Sequence, residues 1–337
     1  MTDVHIPDNY LSPSTCAVMA AAMVPVWAVS IKKVKSEISK AKMPQLGVGA
    51  ALCFLMMMFN VPVLGGTTAH AVGGTLIAVL FGPYSACIAV SVALMIQALL
   101  FGDGGILAYG ANCFNMAFVL PFVGYFVYKF IRDRVKSEKG EYVGLAVGSY
   151  FGINVAALCA AIEFGIQPLL FKNSAGLPLY CPWPLSVSIP AMTIPHLAVV
   201  GFIEAAFAVF IYLFVKRVSP GMVFVDDKKK ARPIWGLIAA LICLCPIGLL
   251  ATGTAWGEWG ADEIGTVAGG SGAGPLGYTP AGMAHGMNFS ALLSEYAVSG
   301  LPAWLGYVIS AILGVAILTI VFKIIGSFKK DKLEQAK

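Results

Sequence analysis

The residue best placed to do chemistry is His70, in the run Gly65-Gly-Thr-Thr-Ala-His70-Ala-Val-Gly-Gly74, which lies inside some of the most apolar sequence of the chain. Between residues 60 and 116 it is accompanied by Asn60, Gln97, Asn112 and Asn115. Polar side chains at membrane depth are costly, so each is a functional-site candidate by default. The glycines around His70 permit irregular backbone, which at that depth must be buried in protein or line a wet cavity. The simplest chemistry is a binding site for something that a histidine holds, with His70 as a ligand.

The elements that must position these groups are membrane helices. The 337 residues are 58% hydrophobic and 12% charged, with a mean hydropathy of +0.83. Repeated apolar runs of about 20 residues indicate an all-α integral membrane protein. Nine spans are expected, roughly 14–31, 44–63, 71–82, 84–101, 107–130, 143–169, 190–215, 234–253 and 302–324. The third and fourth are short, broken at Gly82-Pro83, and suit a hairpin of half-helices. The eight cysteines are scattered; even Cys243 and Cys245 have a spacing that suits neither a zinc ribbon nor a redox pair, so they read as small buried hydrophobes. The first residues carry no basic region ahead of an apolar core and do not read as a signal peptide.

Charge sets the expected orientation. The basic residues cluster at Lys32 to Lys42, Lys129 to Lys139, Lys216 to Arg232 and Lys323 to the C-terminus. With alternating spans, 21 of the 22 fall on one side and Lys172 alone on the other. The positive-inside rule then puts the N-terminus outside and the C-terminus in the cytoplasm. His5, the turn leading to His70, the Gly102-Asp-Gly-Gly105 loop and the loop 254–301 all come to the outer side. His196 lies about two turns into its helix from that face, and Glu163 lies near the outer end of the preceding span. Each of these two is also readable as a structural, hydrogen-bonded side chain.

Loop 254–301 is glycine-rich and carries Met283-Ala-His285-Gly-Met287. It reads as a flexible external linker, or as a lid whose thioethers and imidazole, His285 included, handle a soft metal ion. The chain lacks Gly-x-x-x-x-Gly-Lys-[Ser/Thr], so it has no P-loop of its own. It shows no serine–histidine–acid arrangement for hydrolysis, and no organic cofactor or nucleic-acid partner is expected.

His5-Ile-Pro-Asp-Asn-Tyr-Leu-Ser-Pro13, Gly65-Gly-Thr-Thr-Ala-His70, Leu80-Phe-Gly-Pro83, Gln97-Ala-Leu-Leu-Phe-Gly-Asp-Gly-Gly105 and Gly110-Ala-Asn-Cys-Phe-Asn-Met-Ala117 resemble the nickel/cobalt substrate-capture proteins of energy-coupling-factor transporters, the CbiM/NikM family. The resemblance covers about residues 4–217. Residues 234–324 resemble the small N subunit that accompanies those proteins, here fused in frame. The domain organisation expected is a seven-helix core at 1–218, a basic cytoplasmic linker at 219–233 and a two-helix segment at 234–337.

The resemblance implies a non-enzymatic component of the bacterial or archaeal cell membrane that captures Ni²⁺ or Co²⁺, its transported substrate, from outside. It implies docking on a transmembrane coupling subunit and two cytoplasmic ATPases, which hydrolyse the ATP. In the family the ion is held by a free α-amine, by the backbone nitrogen and imidazole of the next residue, a histidine matching His5, and by a histidine matching His70. Four planar nitrogens suit Ni²⁺ or Cu²⁺. Nickel is favoured over cobalt by the Ile-Pro-Asp-x-Tyr-Leu-Ser-Pro run. Asn112, Asn115, Asn60 and Asp8 are expected to orient the ligands.

The chain departs from the family at its start, because Met1-Thr-Asp-Val4 precedes His5. Val4 stands where relatives begin with methionine, and a valine GUG codon can be read as a start. Residues 1–3 are therefore expected to be absent from the native chain, leaving residue 4 to supply the amine. Otherwise Asp3 or Asp8 would substitute as an oxygen ligand. Ala17 and Ala21 form a small-x-x-x-small pair on the first span, expected to face the coupling subunit or to pack internally. A stand-alone secondary carrier or channel for a divalent metal is the competing class. It would want intramembrane carboxylates, for which Glu163 and Glu204 are the candidates, and internal repeats, which the sequence does not show.

Overall fold

The computed structural model describes residues 5–63, 67–218, 232–251, 253–267 and 275–328. Val4, and residues 219–231 of the expected linker, lie outside the described residues.

The main rods are α1 (Pro13–Glu37), α2 (Met43–Met57), α3 (Gly74–Phe81), α4 (Pro83–Phe101), α5 (Tyr109–Val135), α6 (Glu138–Leu170), α7 (Leu185–Val218), α8 (Pro233–Leu250) and α9 (Ala303–Ser327). Seven of them are long and apolar enough to cross a membrane among the described residues; α2 and α3 are the two that are not. α1 starts where Ser12 caps it, its hydroxyl accepting from the Thr15 N–H at 3.0 Å, with Pro13 in the first turn, where a missing N–H is harmless. Ser137 caps α6 in the same way through the Gly140 N–H.

α2 is the spine. Thirteen of its fifteen residues are buried, as expected of a helix that is apolar all round. At 1.5 Å per residue it rises only about 22 Å against a hydrocarbon core of about 30 Å. A β hairpin lies at its C-terminal end. β1 (Val61–Val63) pairs antiparallel with β2 (Thr67–Ala69), in the register Val61↔Ala69 and Val63↔Thr67. The expected helical span 44–63 therefore stops as helix at Met57, and the protein is mostly helical rather than wholly so. β-Branched residues flanking Gly65-Gly66 favour a hairpin over a helix. The hairpin delivers His70 into the protein ahead of α3.

The expected break between α3 and α4 is present. Gly82 adopts φ +89°, and Pro83 starts the next helix. α5 and α6 approach through small residues, and a Cβ at Gly144 would come 2.9 Å from the Tyr128 carbonyl oxygen. The C-terminal α9 is integral to the bundle. A Cβ at Gly47 of α2 would lie 2.7 Å from the Phe322 Cβ, and the Tyr307 hydroxyl donates to the Met58 carbonyl at 3.0 Å.

Three helices contain π-helical stretches, at Gln97–Phe101, Cys113–Val119 and His196–Val200. Such bulges are often found at functional sites. These three hold Gln97, Asn115 and His196.

Candidate metal centre

Two buried imidazoles meet at the centre of the polar cluster. The rings of His5 and His70 lie 5.0 Å apart, tilted by 40°, and the residues are 2% and 1% exposed. Nδ1 of His5 lies 2.7 Å from Oδ1 of Asp103, and Nδ1 of His70 lies 3.0 Å from the Ala71 carbonyl oxygen. Nε2 of each ring has no hydrogen-bond partner. A metal-ligating histidine typically anchors one ring nitrogen on a carboxylate or carbonyl and offers the other to the ion. The His70 ring has that arrangement, whereas the His5 ring turns its Nδ1 edge to the Asp103 carboxylate in a close contact that lacks hydrogen-bond alignment.

The N-terminal segment that carries His5 is held on both sides. The Ile6 N–H donates to Asn112 Oδ1 at 2.8 Å, Asn112 Nδ2 donates to the Ile6 carbonyl at 3.0 Å, and the Gly105 N–H reaches the same carbonyl at 2.9 Å. Asp8 accepts from the Ile106 and Leu107 amides at 3.0 and 2.7 Å. Gly104 stands at φ +82°, and a Cβ there would lie 3.3 Å from the His5 Cβ. Asn9 takes the left-handed conformation, φ +69°, which asparagine tolerates far better than most residues. Asn9 also pairs with the backbone of Met287, exchanging two hydrogen bonds of 2.9 Å.

His70 is positioned by a carboxylate of α7. Glu204 accepts the Val72 N–H at 2.7 Å and the Gly73 N–H at 3.0 Å. One of the two carboxylates that a carrier would use for ion coupling is thus engaged in holding the backbone behind His70.

The other expected residues divide by position. Asn112 and Asp8 dock the His5 segment. Asn115 instead donates to Glu163 Oε2 at 2.9 Å. Asn60 is buried, one residue ahead of β1. His196 is bound to its own helix, Nδ1 being 2.7 Å from the Met192 carbonyl, with a buried Nε2 that has no partner; it lines a small cavity with Thr68, Ala69 and Trp256. His285 is exposed. Among the described residues no group of three or more His, Cys, Asp or Glu side chains is gathered to hold a metal ion. The amine expected from residue 4 lies outside those residues. A six-membered chelate ring through the His5 amide would use Nδ1, the ring atom that faces Asp103 here.

Sequence reasoning missed two residues. Asp103 stands in the Gly-Asp-Gly-Gly loop, 3% exposed. Burial acts to raise its carboxyl, but the facing His5 imidazole and the hydrogen bond from Tyr296 outweigh it and hold the group below the usual carboxylate range. The other is Tyr296, whose hydroxyl donates to Asp103 Oδ2. Gln97 Nε2 is 3.0 Å from both Asp103 Oδ2 and the Tyr296 oxygen. A carboxylate flanked by glycines close after a buried glutamine was a readable signal for Asp103. Nothing local pointed to Tyr296, which is 193 residues away along the chain.

Residues 5–222 match the family model described as the cobalt uptake substrate-specific transmembrane region, CbiM, and residues 230–331 match the PDGLE domain. The chain is 50% identical to the "Probable fused nickel transport protein LarMN" of Lactiplantibacillus plantarum, over 95% of this chain and 97% of that protein. It is 46% identical to the fused nickel transport protein NikMN of Rhodobacter capsulatus, over 94% and 95% of the two chains. A crystal structure of a truncated transition metal transporter matches with a TM-score of 0.60 at 53% identity, covering 63% of this chain and 98% of that one. A second transition metal transporter structure matches with a TM-score of 0.60 at 49% identity, covering 69% and 99%.

Proposed function

The chain belongs to the CbiM family of cobalt uptake substrate-specific transmembrane proteins, with a PDGLE domain behind it, and from that premise we propose that it is the substrate-capture component of an ATP-driven Ni²⁺ or Co²⁺ importer. It is a multi-pass protein of the cell membrane. The observation that carries the proposal is the facing pair of buried imidazoles, His70 with its Nδ1 on a carbonyl, His5 with its Nδ1 2.7 Å from the Asp103 carboxylate, and each with an unpartnered Nε2. His5 and His70 take the ion at the outer face, Asn112 and Asp8 hold the His5 segment, and Glu204 holds the turn behind His70. Nickel is the favoured ion, in keeping with the two fused relatives described above, each named for nickel transport. The domains are the core 1–218, the linker 219–233 and the fused pair 234–337. The chain lays nine segments in the membrane, α2 with its hairpin as one and the short α3, paired with α4 through the Gly82-Pro83 break, as another, with the basic clusters inside.

A coupling subunit and two ATPases drive inward release, and the chain itself is no ATPase. Uptake of radioactive nickel by cells expressing the chain with and without those partners tests this reading. ATP-dependent uptake is expected with the partners alone, the isolated chain retaining binding. Equal uptake without them would instead support a free-standing carrier.

The docking face for the coupling subunit is placed on α1. Ala17 and Ala21 are exposed, as are Val18 and Val24, whereas Ala20 is the alanine that meets Gly110 of α5, where a Cβ would lie 2.5 Å from its backbone. Small residues let helix backbones approach closely where lipid supplies no hydrophobic drive. Ala21→Leu is expected to reduce copurification of the coupling subunit while nickel affinity stays at the wild-type value. Undiminished copurification would remove α1 from the interface.

A further inference from the structure

Tyr296 belongs to the fused C-terminal segment, yet its hydroxyl ends in the hydrogen-bond network of the capture site. It donates to Oδ2 of Asp103, whose other oxygen lies 2.7 Å from Nδ1 of His5. The link therefore runs from the part of the chain matching the PDGLE domain to an imidazole in the part matching the capture family.

The tyrosine is held there by more than core packing. Glu295 and Tyr296 both adopt left-handed backbone, at φ +55° and +60°. Non-glycine residues in that region are strained by about 1 kcal/mol or more and persist where the surroundings over-determine them. Here the surroundings are specific. The Tyr296 carbonyl accepts from the Ser310 hydroxyl of α9 at 3.0 Å, and the Leu293 N–H donates to the Leu100 carbonyl at 2.8 Å. The ring stacks on Phe101 with centroids 4.8 Å apart and stands edge-on to Tyr307 at 5.3 Å. Phe101 and the left-handed Gly102 immediately precede Asp103, so ring and hydroxyl grip one short stretch of backbone and its carboxylate together.

The chemistry follows from which atoms are engaged. A carboxylate held against the edge of an imidazole sets how that ring is turned, and so where its nitrogens are offered to an ion. Unrestrained, the Asp103 carboxylate rotates about its own bond and His5 turns with it. Bonds from Tyr296 and Gln97 to Oδ2 stop that rotation.

We propose that Tyr296 is a positioning residue for metal capture, acting through Asp103 to orient His5, so that the fused C-terminal segment completes the capture site. This rests on the reading of His5 and His70 as the ligand pair.

The test uses the full chain, NiCl₂ titrated calorimetrically, and the visible absorption of bound Ni²⁺ as a ligand-field signature. Tyr296→Phe retains the ring and its stacking, so the fold is preserved and the hydroxyl alone is lost. Its expected effect is a loss of about 10-fold or more in affinity, the usual consequence of removing an outer partner of a ligand, together with a shifted absorption band. Asp103→Asn is expected to weaken binding at least as much, and adding Tyr296→Phe to it should cost nothing further, because the tyrosine then has no carboxylate to act through. Wild-type affinity and spectrum in Tyr296→Phe would overturn the proposal, as would full additivity of the two changes. The underlying site reading is judged separately. If the wild-type chain binds nickel and His70→Ala abolishes it while Tyr296→Phe is silent, the ligand pair stands and the role of Tyr296 falls. If the wild-type chain binds no nickel, both fall.

Discussion

Replacing His70 with alanine is expected to abolish high-affinity nickel binding and to leave the protein folded. Both halves of that result follow from the same geometry. The ring is 1% exposed, and its Nε2 has no partner. Its one hydrogen bond runs to the carbonyl of the next residue. A buried polar atom without a partner lowers stability, so deleting it removes a penalty that offsets part of the small cavity left behind. The readout that separates binding from folding is thermal unfolding with and without NiCl₂. A ligand at 100 times its Kd stabilises the native state by about 2.7 kcal/mol. The wild-type protein should therefore melt at a higher temperature with nickel, whereas the His70→Ala protein should melt at one temperature in both conditions, close to the nickel-free wild type. A His70→Ala chain that does not fold would assign the residue a structural role instead.

Asn112→Ala has the second largest expected effect. One amide side chain bonds both the N–H and the C=O of Ile6, at 2.8 and 3.0 Å, as a neighbouring strand would. It thereby fixes the backbone one residue from His5. Removing it leaves the Ile6 N–H without that acceptor and frees the segment to move, so His5 loses its set distance to His70. Loss of such an outer partner typically weakens metal affinity about 10–100-fold. Asn115→Ala provides the contrast, since Asn115 bonds Glu163 rather than the His5 segment. Calorimetric titration of both variants should show the larger loss at Asn112. Equal affinities for Asn112→Ala and wild type would mean that Gly105 and Asp8 hold the segment without it.

Much of this arrangement is legible in the residues alone, and the illegible part has identifiable causes. Apolar length and the Gly82-Pro83 break locate most of the rods, because membrane helices are set by local composition and by residues that cannot continue a helix. His70 is found by its glycine setting. The hairpin at Val61–Ala69 is masked by its apolarity, which reads as the end of a span until the glycine pair between β-branched residues is weighed. The π-helical stretches leave no periodic trace, since one inserted residue shifts the register by less than the scatter of the apolar pattern. Asp103 to Tyr296 is a tertiary contact between segments far apart in the chain, and no spacing rule brings them together. For the same reason a loop read as a linker or a lid turns out to include a tyrosine bonded into the site.

The central claim, that the ion is taken between the imidazoles of His5 and His70, is tested most directly by anomalous diffraction at the nickel edge from nickel-loaded crystals of the full chain. The account predicts a single strong peak within bonding distance of a nitrogen of each ring. A peak seated elsewhere, for instance among Met283, His285 and Met287, with both rings uncoordinated, would contradict it.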